Sequence, residues 1–174
     1  MLNSWKEGAE IRNVVFARID ERLIHGQVVT AWVGNTNCNV IYVIDDMTAK
    51  NPMVSKLYGR LAPAGTTCQV LSTTQAIDQL RKEPPDSEER IMLLAKVPQV
   101  FEALVDSGIQ MKELNLGGMG LSRNRKPLYD NVSANQEEID SMRRMIEKGV
   151  AMTYQVAPYS KALSVKKIIE NLRH

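Results

Sequence analysis

Ile91-Met-Leu-Leu-Ala95 is an unbroken apolar run with Arg90 before it and Lys96 after it. A strand half-exposed to water alternates apolar and polar residues, whereas this one is apolar on both faces. It therefore belongs inside a parallel sheet covered on both sides. Asn39-Val-Ile-Tyr-Val-Ile44 reads the same way. Working outward, further strands are expected at Arg12–Arg18, Thr67–Leu71, Glu113–Leu116 and Met152–Val156.

The segments between these runs carry helix punctuation. Ser72 and Gln75 have capping-box spacing ahead of Ala76, Ile77 and Leu80. Pro98 suits a first helical turn, Val100, Ala103 and Leu104 share one face, and Gly108 can end the helix. Ser133 and Gln136 repeat the box spacing before Ile139, Met142 and Ile146, with Gly149 as the stop. A last helix carries Val165, Ile168, Ile169 and Leu172. Alternating strands and helices predict a single α/β domain: a mostly parallel central sheet of about six to seven strands with helices on both faces. Residues 1–10 read as an N-terminal extension and 11–174 as the domain. The polar break at 82–90, with Pro84-Pro85, is a surface loop.

A chain of 174 residues, 44% hydrophobic and 24% charged, supports one well-buried core. The net charge of +2 argues against a protein that sheathes nucleic acid. Cys38 and Cys68 lie in separate apolar runs and read as small buried hydrophobes. No secretion signal and no membrane-length apolar run is visible, so a cytoplasmic protein is expected.

Ligands of parallel sheets gather beyond the carboxyl ends of the strands. The densest chemistry there is Arg18-Ile-Asp20-Glu-Arg22-Leu-Ile-His25-Gly26-Gln27, after the first strand. If 18–22 is extended, Arg18, Asp20 and Arg22 share one side. Guanidinium groups fit the oxygens of a phosphate dianion. The His25 imidazole is a nucleophile near neutral pH, and a carboxylate can fix its tautomer. A helix from Gly26, with Val28, Ala31 and Trp32 inward, would put His25 at a positive helix end. On chemistry alone, His25 reads equally as a packed residue and as a nucleophile.

Weaker candidates follow the other strands. Asp45-Asp46 reads as a metal or site carboxylate, or as a helix cap. Lys96 reads as a surface lysine, and Gly117-Gly118-Met119-Gly120 as a turn that lets backbone approach an anion. That loop lacks the terminal Lys-Ser/Thr of a nucleotide-binding P-loop.

Residues 18–28, Arg-Ile-Asp-Glu-Arg-Leu-Ile-His-Gly-Gln-Val, resemble the active-site signature of the IIB components of the mannose/fructose/sorbose family of bacterial phosphotransferase systems. Val43-Ile-Asp-Asp46, Leu61-Ala-Pro-Ala-Gly65, Ile91-Met-Leu-Leu94, Leu104-Val-Asp-Ser-Gly108 and Leu114-Asn-Leu-Gly-Gly-Met119 resemble family blocks in the family's order, so the likeness spans 11–172. The resemblance implies a phosphotransferase in which His25 takes a phosphoryl group from a IIA component. The group then passes to a sugar at the membrane IIC and IID components, where the protein would dock transiently. It implies that Arg18 and Arg22 hold the phosphoryl oxygens and that Asp20 orients the imidazole or an arginine. Gly26 and Gln27 support the site, Gly117, Gly118 and Met119 wall it, and Asp45 stands at its margin. Ile24 and Met119 are candidates for an apolar docking rim. No cofactor or metal is required, and the apolar faces leave room for a homodimer.

A response-regulator-like receiver is the rival reading. It would require a phosphoacceptor Asp after the third strand, where this chain has Ser72.

Overall fold

The computed structural model describes residues 12–173, without the side chains of Gln27 and Arg173. The extension expected at 1–10 and the support expected from the Gln27 side chain thus lie outside the described residues.

In chain order the elements are β1 (Val14–Asp20), α1 (Gly26–Thr36), β2 (Val40–Ile44), α2 (Asp46–Ala49), α3 (Pro52–Arg60), β3 (Thr67–Leu71) and α4 (Thr73–Leu80). They continue with β4 (Ile91–Ala95), α5 (Pro98–Asp106), β5 (Glu113–Gly118), β6 (Lys126–Tyr129), β7 (Val132–Ala134) and α6 (Gln136–Glu147). The chain closes with β8 (Ala151–Tyr154), β9 (Leu163–Ser164), α7 (Val165–Glu170) and a final 3₁₀ turn. Seven strands form one sheet in the order β3-β2-β4-β1-β5-β8-β9. Every neighbouring pair is parallel except β8 with the short edge strand β9. β6 and β7 form a separate antiparallel hairpin.

The alternation of strand side chains divides the core. Tyr42, Ile44, Leu93, Ala17 and Ile19 face α4, α5, α6 and α7. Ile41, Val43, Met92 and Leu94 face the other way and pack with Val29 and Trp32 of α1 and Tyr58 of α3. The apolar face of α1 is thus built on Val29 and Trp32, and Ala31 is only half-buried. Arg18 and Asp20, on the opposite parity from Ala17 and Ile19, point toward the α1 side.

The capping box forms at Ser72 and Gln75 as expected. The second box is displaced. Ser133 lies in β7, and Asn135 caps α6 by accepting from the N–H of Glu138, whose carboxylate accepts the Asn135 N–H in return. Gly108 and Gly149 end their helices at φ +92° and +95°, where a side chain would be strained. The fifth strand runs further than expected, so Gly117 and Gly118 are strand residues rather than turn residues. The β6–β7 hairpin, α2 and α3 are additions to the expected plan.

Candidate active site

β1 ends at Asp20, and residues 21–25 turn into α1. This turn is pinned from below. Leu23 is fully buried at φ +55°, a conformation that L side chains rarely adopt, and Ile24 is buried beside it. Packing of both side chains into the α1-side core holds the strained backbone in place. The Leu23 N–H donates to the Asp20 carbonyl and the Glu21 N–H to that of Gly118, tying the turn to β1 and β5.

Asp20 is fully buried and is the hub of the site. Its Oδ2 accepts from Nη2 of Arg18 at 2.9 Å and from Nη2 of Arg22 at 3.0 Å. Its Oδ1 accepts from the Arg22 backbone N–H and from Nε. A buried carboxylate is tolerated only when paired in this way. Nε2 of His25 stands 3.9 Å from Asp20 Oδ2, while Nδ1 donates to the Leu23 carbonyl at 2.9 Å. Among the described residues Nε2 has no hydrogen-bond partner.

The two arginines occupy different places. Arg22 is 46% exposed at the mouth of the site, and its hydrogen bonds to Asp20 hold its pKa above the ordinary value. Arg18, expected to hold phosphoryl oxygens, is 1% exposed and turned inward. Its guanidinium donates to Asn115 Oδ1, to the carbonyls of Gln155 and Val156 and to Asp20, over the Trp32 ring. With Nη1 and Nη2 bonded inside the fold and Nε buried without a partner among the described residues, Arg18 supports Asp20 instead of facing a ligand. Burial lowers its pKa, against the pull of Asp20.

The glycines make this arrangement possible. A Cβ on Gly117 would overlap the Arg18 guanidinium. A Cβ on Gly118 would press on Asn131 Nδ2 at 3.1 Å and lie 3.5 Å from Arg22 Nη2. They wall the site by leaving room for side chains from beneath. Asn131 Nδ2 itself donates to the Gly117 carbonyl. Tyr154, at the end of β8, donates its hydroxyl to Asp130, so the hairpin turn is tied to β8 as well as to β5.

Gly26 opens α1, and His25 is the N-cap residue without any side-chain cap. The first N–H groups of this helix are therefore not claimed by a capping side chain. Met119 and Ile24, expected on a docking rim, are buried at 0% and 9%. The hairpin covers Met119, whose backbone bonds to Asn131 and Ser133. Exposed apolar side chains following the strands include Met47 after β2, Leu121 after β5 and Tyr159 after β8. Asp45 is not drawn to His25. It caps α2 through Thr48 and pairs with Lys96 at 3.1 Å. Burial pushes its carboxyl up, but the Thr48 hydroxyl and N–H and the Lys96 ammonium bring it below its ordinary value.

Asn115, Gln155, Asn131 and Arg125 complete the site without having been singled out in the sequence. One signal was present for the first: a lone Asn between Leu114 and Leu116 in a buried strand requires a polar partner.

Comparison with known proteins agrees with the signature. The family model for the PTS system sorbose subfamily IIB component matches residues 14–174. The mannose-specific EIIAB component of Escherichia coli K12 is 30% identical over 156 residues, which is 90% of this chain and 48% of that protein. The chain thus spans about half the length of that relative. The N-acetylgalactosamine-specific phosphotransferase enzyme IIB component 1 of Escherichia coli is 30% identical over 84% of this chain and 92% of its own. Among solved structures, the IIBSor domain of the sorbose permease from Klebsiella pneumoniae superposes with a TM-score of 0.87 at 28% identity, covering 91% of this chain and 97% of that one. The signature around Asp20 and the ordered blocks beyond it have one common explanation: the chain belongs to the sorbose-subfamily IIB components of the sugar phosphotransferase system.

Proposed function

We propose that His25 accepts a phosphoryl group from a phosphorylated IIA component and passes it to a sugar held by membrane IIC and IID components. The observation that carries this reading is the place of His25. It is the uncapped N-terminal residue of α1, beside a carboxylate that also holds the exposed guanidinium of Arg22. A phosphoryl group on the imidazole would meet free backbone N–H groups at the helix end and the Arg22 donors.

Transfer between two histidines is close to balanced in energy, so positioning and charge neutralisation carry the catalysis. In the step itself the P–N bond to the donor imidazole breaks as a P–N bond to His25 forms. In the next step that bond breaks in favour of a sugar oxygen, whose proton leaves to solvent or base. In the resting arrangement Nδ1 is bonded to Leu23 and Nε2 is sheltered against Asp20. The ring therefore turns outward to meet a donor in line.

The protein is incubated with phosphoenolpyruvate, the general phosphotransferase proteins and a IIA component. The expected product is acid-labile, base-stable phosphate on the wild type and none on His25→Ala. Label that survives His25→Ala would overturn the assignment.

A further inference from the structure

Glu21 stands between the two site residues Asp20 and Arg22 in sequence, yet its carboxylate is held on the far side of the turn. Its Oε2 accepts from Arg125 Nη1 at 3.0 Å. Arg125 is 12% exposed, and its other edge is fixed. Nε donates to both carboxylate oxygens of Glu138 at 3.0 Å, and Nη2 donates to Oε1 at 2.7 Å. Glu138 is buried and closes the capping box of α6, so the guanidinium is anchored to the start of a twelve-residue helix. Nη1 also reaches the Gly120 carbonyl at 3.3 Å. The Glu21 carboxylate fills the space where residue 120 would carry a Cβ, so the glycine is part of the clamp.

Charge gives this clamp a purpose. Glu21 adjoins Arg22 closely enough for its charge to act on that guanidinium. Released from Arg125, a flexible carboxylate beside Arg22 would compete with any anion for the same donors and repel a phosphoryl dianion. We propose that Arg125 is a positioning residue for the His25 turn, holding Glu21 against the β6–β7 hairpin side and so keeping Arg22 open to a phosphoryl group. This inference rests on the proposed phosphoryl transfer through His25.

The test compares transfer rates from phosphorylated IIA to wild type, Arg125→Gln and the double variant Glu21→Gln/Arg125→Gln, with circular dichroism and thermal unfolding on each. Arg125→Gln is expected to slow transfer roughly tenfold, the scale of one coupled contact in a network. Removing the freed charge in the double variant is expected to restore most of that loss. A merely structural role predicts no such rescue, so a double variant as slow as the single one overturns the proposal, as does an Arg125→Gln rate equal to wild type. Gly120→Ala provides an independent route that leaves Arg125 in place. Its new Cβ displaces the Glu21 carboxylate, and Glu21→Gln in that background should again restore the rate. If Arg125→Gln does not fold, this second pair decides, and absence of rescue there overturns the proposal. A wild type that takes no label overturns the phosphoryl-transfer reading itself and the inference with it, an outcome visible before any variant is compared.

Discussion

The guanidinium of Arg18 occupies the space in which residue 117 would carry a side chain, and Gly117 leaves that space open. A strand residue on β5 thereby determines how a charge on β1 is housed. Arg18 fills the volume and satisfies Asn115 and two carbonyls of the segment after β8. Its Nη2, which bonds the Val156 carbonyl, also donates to Asp20. The hub carboxylate of the site is thus supported from β1, β5 and the segment after β8.

Gly117→Ala should therefore destabilise the protein by about 1–3 kcal/mol, the usual cost of overpacking. Arg18 is pinned at several donors and cannot swing aside as an exposed arginine would. Urea unfolding measures the change; a stability equal to wild type would mean that Arg18 is free to move.

The two arginines of the signature should separate in their variants. Arg18→Ala leaves the buried Asp20 short of a partner and Asn115 Oδ1 without its charged donor, and leaves the Gln155 and Val156 carbonyls only their weaker bonds from Asn115 and Trp32. A loss of about 3–5 kcal/mol is expected. Arg22 is nearly half exposed, so Arg22→Ala should unfold within about 1 kcal/mol of wild type. Under the proposed function, its labelling by a phosphorylated IIA component should nevertheless slow. Unfolding curves and labelling rates on the two variants, taken together, check the division.

Asn135→Ala should cost about 1 kcal/mol, the worth of an N-cap. Ser133→Ala, a buried strand substitution with no helix cap to lose, should cost less than Asn135→Ala. Thermal unfolding of the pair tells which residue starts α6; the reverse order would place the cap at Ser133.

Asp45 supplies a pH signature. Its folded pKa is depressed, so its stabilisation is present above the unfolded carboxyl pKa and is lost as pH falls through the folded value. Asp45→Ala should cost about 1 kcal/mol at pH 7 through the lost α2 cap. The gap to wild type should close in acid below the ordinary carboxylate range. A gap that stays constant from neutral to strongly acidic pH would show that the charge plays no part.

Strands β2 and β4 and the Ser72–Gln75 box were legible because their signals are local: an apolar run too short for a helix, and a cap three residues from its partner. The hairpin of β6 and β7 was not. Its strands are short, one contains Pro127, and its place is fixed by distant contacts such as Tyr154 with Asp130. α3 hides because none of its residues is buried, although Asn51 before Pro52 carries a helix-start signal. In the site, the motif of arginines, aspartate and histidine could be read directly, but the depth of each residue could not. Strand alternation puts Arg18 on the same side as Arg22 but says nothing of its depth, and an arginine is ordinarily exposed. Its burial follows from Asn115, Gly117 and the Gln155 and Val156 carbonyls, which are remote in sequence. The same holds for Met119, which looks like an exposed loop residue until the hairpin is laid over it.

The anchoring of Leu23 and Ile24 has a kinetic consequence. A turn whose backbone is held by two buried side chains, one of them in a strained conformation, presents the His25 ring at one fixed place. Under the proposed function, donor and acceptor must then visit the same few square ångströms of surface in succession, and neither can arrive before the other has gone. Turnover on such a fixed station is limited by how quickly the donor departs, so tighter docking by the donor would throttle sugar uptake. Brief, weak encounters are what this turn is built to serve.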